Sequence, residues 1–197
     1  MSDSEAYSLI SKKIEESISV KYLLLNNPTV QEQINRLSKL CATSIKRSGK
    51  IIFAGNGGSF ADSQHLSAEF TSKFMVDREP FPSIALGTNS SAMSAIANDY
   101  GYDHVFSREL SGIASAGDIF IGITTSGNSQ NIINAVAEAI NLGVHVVVMT
   151  GRGAGKISGM CECICVPSDN TARIQESHIM LGHILCELVE VYYENLT

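Results

Sequence analysis

The feature that most constrains the fold is a change of period that repeats along the chain. Short, uninterrupted apolar runs at 50–54, 83–86, 118–123, 145–149 and 161–166 alternate with longer segments whose apolar residues recur at helical spacing, at 59–74, 90–98, 129–142 and 171–194. A four- to six-residue apolar run bounded by turn residues is how a strand buried on both faces reads, and its alternation with helices predicts an α/β domain with a parallel sheet. The expectation is a single doubly wound domain with a five-stranded parallel sheet flanked by helices. Two further helical patterns precede it, 5–25 (Leu9, Ile10, Ile14, Ile18, Tyr22, Leu25) and 29–47 (Val30, Ile34, Leu37, Leu40, Cys41, Ile45), broken by Asn26-Asn27-Pro28. Residues 1–197 are therefore read as one domain, with 1–48 a helical extension and 49–197 the α/β core.

In such sheets the ligand crevice lies beyond the carboxyl ends of the strands. Two strand ends stand out: Gly55-Asn56-Gly57-Gly58-Ser59 after the first strand and Thr124-Thr125-Ser126-Gly127-Asn128-Ser129 after the third. Each leads into a helix, Ser59 and Asp62 having the spacing of a capping box, and each offers first-turn amides beside small hydroxylated residues. That is an anion-binding arrangement. The dinucleotide fingerprint fails, because Phe60 stands where its third glycine belongs; the P-loop fails, because Ile157 follows Gly155-Lys156 and Thr150 holds the upstream glycine position. A small phosphorylated metabolite remains the better fit.

His65 and Glu69 lie four residues apart on the helix that leaves the first of these loops. One face then carries an imidazole and a carboxylate a turn apart, able to share a metal. The last helix carries His178 and His183 on an otherwise apolar element, where a histidine is either a hydrogen-bonded core residue or a ligand. Gln175 and His183 are eight residues apart, about 12 Å along a straight helix, too far for one metal unless the helix begins late or two subunits contribute. Cys161, Cys163 and Cys165 alternate along a strand and point to one face, where core packing fits better than a thiolate cluster with its usual two-residue gap.

Composition narrows the function classes. With 14 Lys or Arg against 20 Asp or Glu, the net charge of −6 provides no general basic surface for nucleic acid. Charged residues are 17% of the chain against about a quarter in average soluble proteins, a deficit that points to an oligomer. The opening residues lack a basic start followed by an apolar run, and no stretch reaches about 18 uninterrupted apolar residues, so a soluble, cytoplasmic protein without membrane contact is expected. The five cysteines (Cys41, Cys161, Cys163, Cys165, Cys186) are read as reduced thiols.

Taken together, Gly55-Asn56-Gly57-Gly58-Ser59, Asp62, His65, Glu69, Asn98-Asp99, Thr125-Ser126-Gly127-Asn128-Ser129, Ala172-Arg173-Ile174-Gln175-Glu176 and His183 resemble the sugar isomerase (SIS) domain family. Within it they are most similar to the phosphoheptose isomerases, or sedoheptulose 7-phosphate isomerases, over nearly the whole chain. The resemblance implies an SIS-type, flavodoxin-like sheet and a homotetramer with active sites at subunit interfaces, the N-terminal extension packing in the oligomer. It also implies one zinc ion per subunit, bound by His65, Glu69, Gln175 and His183. The substrate would touch Asn56, Gly57, Gly58, Glu69, Asn98, Asp99, Thr124, Thr125, Ser126, Ser129 and Gln175, with Glu69 as base and His183 as acid. Ser72-Lys73 replaces the Gly-Arg common in the family, keeping charge without the bidentate fork, and Ala172 stands where some members have an acidic residue.

The implied reaction turns sedoheptulose 7-phosphate into D-glycero-D-manno-heptose 7-phosphate, an early step toward ADP- or GDP-activated heptose for surface polysaccharides. Moving a proton between adjacent carbons through an enediol needs a base at carbon and a donor or cation at the oxygens. Two alternatives stand beside it: a non-catalytic SIS-domain protein that binds a partner, as in relatives associated with replication initiation, and an isomerase for another phosphosugar.

Overall fold

A computed structural model of the chain describes residues 1–196. Its strands are β1 (Ile51–Gly55), β2 (Ser83–Ala85), β3 (Ile119–Ile123), β4 (His145–Thr150) and β5 (Glu162–Cys165). All pair in parallel, in the order β2-β1-β3-β4-β5. This is the flavodoxin-like order, and the direction of winding reverses between β1 and β3. The reversal falls where the two glycine- and hydroxyl-rich strand ends lie side by side, since Gly55 and Ile123 are register partners.

The helices are α1 (Asp3–Leu25), α2 (Pro28–Lys46), α3 (Gly58–Thr71), α4 (Ser90–Tyr100), α5 (Val105–Ile113), α6 (Gln130–Asn141) and α7 (Thr171–Asn195). On one face of the sheet α2, α3 and α7 bury Leu37, Leu66, Phe70, Leu185 and Val189 against Phe53, Ile121 and Met149. On the other, α5 and α6 bury Phe106, Leu110, Ile132 and Val136 against Ile52, Phe120 and Val148. Strands covered on both sides explain the uninterrupted apolar runs, and β1 and β3 are buried throughout.

Sequence periodicity missed α5, although Val105, Phe106 and Leu110 have the spacing of a buried helical face. The expected capping box is also overturned. Gly57, at φ 57°, is the N-cap, and the helix starts before Ser59, which lies buried in its first turn. Positive φ at that position is open to glycine at little cost. No side chain caps α3, so its first-turn amides are left to a ligand or solvent.

Among the described residues no helix is long and apolar enough to cross a membrane. All five cysteines are free, as the sequence suggested; Cys161 and Cys163 pack against the second core. Along α1, Ile10, Ile14, Ile18, Tyr22 and Leu25 are each more than half exposed. Only Val20 and Leu24 of α1 are buried.

Candidate functional site

The candidate site is built where α3 and α7 run side by side in the same direction. Gln175 near the start of α7 lies against Gly58 at the start of α3, and Gly182 lies against Leu66 one residue past His65. A methyl on Gly182 would stand 2.6 Å from the Leu66 side chain, so the absence of one lets the two helices close up. Glycine inside a helix costs about 1 kcal/mol relative to alanine, a penalty that close approach offsets.

At this contact His183 Nε2 is 3.0 Å from His65 Nε2, and His65 Nε2 is 3.1 Å from Glu69 Oε1. One donor atom from each of the three lies within 4.8 Å of the others. Two imidazoles and a carboxylate converging in this way suit zinc, which favours nitrogen and oxygen donors and leaves a position for a further ligand at a reactive site. The donor set therefore fits the ion that the family resemblance implies. Phe74 stacks on the His183 ring at 5.4 Å and 17°. Asp62, one turn before His65, has a buried Oδ2 without a hydrogen-bond partner. Burial raises its carboxyl above the usual range, with His65 and His183 opposing the rise.

Gln175 does not reach this cluster. Helix α7 is continuous from Thr171, so a late start cannot shorten the separation, and Gln175 stays about 12 Å from His183 along the axis. It sits instead at the first anion loop, where a methyl on Gly58 would be 2.6 Å from its Nε2.

The two loops are tied together by an amide pair. Asn56 Nδ2 donates to Asn131 Oδ1 at 2.9 Å and Asn131 Nδ2 donates to Asn56 Oδ1 at 2.8 Å. Tyr102 Oη also donates to Asn56 Oδ1, at 3.1 Å. Both lone pairs of that oxygen are thereby used, which leaves Asn56 one free N–H for a ligand. Asn131, buried in the first turn of α6, and Tyr102 were absent from the sequence reading. Their signal was faint, being only the polar character of a residue opening a helix at the switch point.

In the second loop Thr124 Oγ1 and Ser129 Oγ share a hydrogen bond of 3.3 Å, and Ser126 Oγ accepts from Asn128 N. Thr125 and Ser126 also line a cleft of about 210 Å³ with Arg152, Ser168, Asp169 and Thr171. Asn98 and Asp99 stand apart, on the exposed end of α4, where Asn98 Nδ2 donates to Asp99 Oδ1. Among the described residues no hydrogen bond or ion pair joins either of them to the loops or the cluster. Lys73 pairs with Asp77 at 3.8 Å on the surface. Arg173 donates through Nη1 to the Lys13 carbonyl of α1 at 2.8 Å and pairs through Nε with Glu176 at 3.0 Å. His178 is the core histidine of the pair on α7, buried and donating through Nε2 to the Thr150 carbonyl, with burial pushing its pKa down to about 4.

Comparison with known proteins shows the family and the fold. A family profile described as SIS domain matches residues 19–151. The phosphoheptose isomerase of Sulfurimonas denitrificans is 48% identical over 182 residues, covering 92% of this chain and 93% of the relative. That of Aneurinibacillus thermoaerophilus is 47% identical over 182 residues, covering 92% of each. Among solved structures, the phosphoheptose isomerase of Francisella tularensis superposes with a TM-score of 0.88 at 32% identity, covering 94% of this chain and 98% of its own. The Neisseria gonorrhoeae enzyme gives 0.83 at 37%, covering 94% and 99%.

Proposed function

This chain belongs to the SIS-domain family and, within it, to the phosphoheptose isomerases, and from that membership we propose that it converts sedoheptulose 7-phosphate into D-glycero-D-manno-heptose 7-phosphate. The enzyme class is an aldose–ketose isomerase. The observation that carries the reading is the meeting of His65, Glu69 and His183 between α3 and α7, α3 being the helix that starts at the first of two anion-binding loops.

The 7-phosphate is held by the first-turn amides of α3 and α6 and by Thr124, Thr125, Ser126 and Ser129. Helix-end amides bind anions without adding to the count of basic residues, which reconciles a phosphosugar substrate with a net charge of −6. Asn56, Gly57, Gly58 and Gln175 line the sugar, Asn56 through its single free N–H. Asn98 and Asp99 contribute hydroxyl contacts.

Glu69 takes a proton from C1 of the open-chain ketose and returns it to C2. As the enediol forms, His183 gives a proton to O2; as it collapses, His183 recovers one from O1, so that atoms balance. Glu69 Oε1 faces His65, which leaves Oε2 as the oxygen open to the substrate proton. One zinc per subunit, held by His65, Glu69 and His183, would polarise the carbonyl oxygen and orient the sugar. Gln175, as fourth ligand, comes from an adjacent copy, because its own chain keeps it two turns from His183.

A homotetramer with shared sites accounts for both that distance and the isolated position of Asn98 and Asp99. The exposed apolar stripe of α1 supports it, as does a groove of about 390 Å³ continuous with the stripe and lined by Leu24, Leu25, Val30, Ile34, Met180 and Ile184. Residues 1–197 then act as one SIS domain whose N-terminal helices assemble it. The product feeds activated-heptose synthesis for surface polysaccharides in the cytoplasm. A panel of five- to seven-carbon ketose phosphates, assayed with zinc, tests the substrate: conversion of the seven-carbon sugar is expected, and exclusive turnover of a shorter one would reassign the enzyme.

A further inference from the structure

We propose that Glu190 and Arg78 are positioning residues for the His65–Glu69–His183 cluster, acting by fastening the end of α3 and the segment that follows it to α7, with Phe74 as the part that touches His183. The proposal rests on the metal site put forward above, and it concerns residues that neither sequence motif nor family resemblance singles out.

Glu190 lies seven residues, two turns, beyond His183 on α7, and its side chain is 3% exposed. A buried carboxylate is tolerated only when its lone pairs are filled, and these are. Oε1 accepts from Phe74 N at 3.1 Å and from Arg78 Nε at 2.8 Å, while Oε2 accepts from Met75 N at 2.9 Å and from Val76 N at 3.3 Å. Three consecutive backbone amides and one guanidinium thus converge on a single side chain. A generic core position on this helix would carry leucine or valine, as Leu185 and Val189 do.

Arg78 carries the connection back to the cluster. Its Nη2 donates to the Glu69 carbonyl at 3.0 Å and its Nη1 to the Phe70 carbonyl at 2.9 Å, while its guanidinium stacks on Phe81 at 3.7 Å. These are carbonyls of the last turn of α3, which have no partners within the helix. The turn that Arg78 caps is the turn that carries Glu69. On the other side of the same ion pair, the amides of residues 74–76 are drawn onto Glu190, and this seats the Phe74 ring flat against His183. One ion pair therefore sets both the end of the helix bearing Glu69 and the ring that limits rotation of His183.

Residues that orient metal ligands in this way typically change metal affinity by about 10- to 100-fold when removed. The test compares Glu190→Gln, Phe74→Leu and Phe74→Tyr with Val148→Ala, a core truncation across the sheet from the site. Three quantities are measured on the full chain: zinc affinity by chelator competition, the His183 imidazole C–H signal in the zinc-free protein, and the melting temperature. Glu190→Gln and Phe74→Leu are expected to weaken zinc by about tenfold or more and to shift the His183 signal as the stacked ring is lost. Phe74→Tyr keeps the ring and should keep both values, and Val148→Ala should lower the melting temperature alone. Should Glu190→Gln not fold, the contrast between leucine and tyrosine at 74 decides the matter by itself. Zinc affinity within twofold of wild type together with an unmoved His183 signal in Phe74→Leu would overturn the proposal. Absence of zinc binding by the wild type would instead sink the metal reading, while the His183 signal would still report whether the clamp holds the ring.

Discussion

His183 Nε2 and His65 Nε2 are 3.0 Å apart although 118 positions separate the two residues. At that distance the two ring nitrogens stand where a single cation could meet both, and an imidazole binds a metal in its neutral form. A divalent cation there would draw on both lone pairs and on Glu69 Oε1, 3.1 Å from His65. Replacing His65 by alanine removes the ligand central to this arrangement. His65→Ala is expected to purify without stoichiometric zinc, measured by elemental analysis; retained zinc would show that the ligands lie elsewhere.

The His65–His183 approach depends on how closely α3 and α7 pack. Gly182→Val places a branched side chain against Leu66 and should push the helices apart, destabilising the fold by about 1–3 kcal/mol as overpacking does. Zinc affinity and turnover are expected to fall further than those of an equally destabilised variant in the other core. Chemical denaturation combined with chelator competition separates the two effects.

The amide pair between Asn56 and Asn131 joins the two loops, so its loss should be felt in binding. Asn131→Ala leaves Asn56 held by Tyr102 alone and removes two hydrogen bonds worth about 1 kcal/mol each. A rise in KM of about tenfold with a smaller change in kcat is expected from steady-state kinetics.

His178 gives the fold a defined acid sensitivity. Its pKa is about 4 when buried and 6.5 when unfolded, so between these values the unfolded chain binds a proton that the folded chain does not. Stability from this residue is complete above about pH 6.5 and declines as pH falls toward 4, by about 3 kcal/mol in all at 1.36 kcal/mol per unit. Denaturation curves between pH 4.5 and 7.5 should show the slope, and His178→Gln, which keeps a donor for the Thr150 carbonyl without titrating, should flatten it.

How much of this was legible in the sequence depended on how local each signal was. The buried strands announced themselves because β1 and β3 are covered on both faces, and Gly55 and Ser126 marked the strand ends because turns need small residues. The spacing of His65 and Glu69 placed them on one face, and the spacing of Gln175 and His183 already separated that pair. The cap of α3 was misread because Ser59 looked like an N-cap, whereas Gly57, with its positive φ, begins the helix earlier. Helix α5 was passed over because Val105 and Phe106 follow a glycine-tyrosine turn with few apolar repeats. Glu190 with Arg78, and Asn56 with Asn131, were out of reach because their partners lie 112 and 75 residues away and only tertiary packing brings them together.

Following sedoheptulose 7-phosphate by NMR in the presence of zinc and the folded oligomer tests the assignment most directly. Wild type is expected to accumulate an aldoheptose 7-phosphate, and Glu69→Gln, with its fold intact, to be slower by about 10²–10⁴-fold, the usual contribution of a positioned general base. No conversion by zinc-loaded, folded wild type, or undiminished conversion by Glu69→Gln, would contradict it.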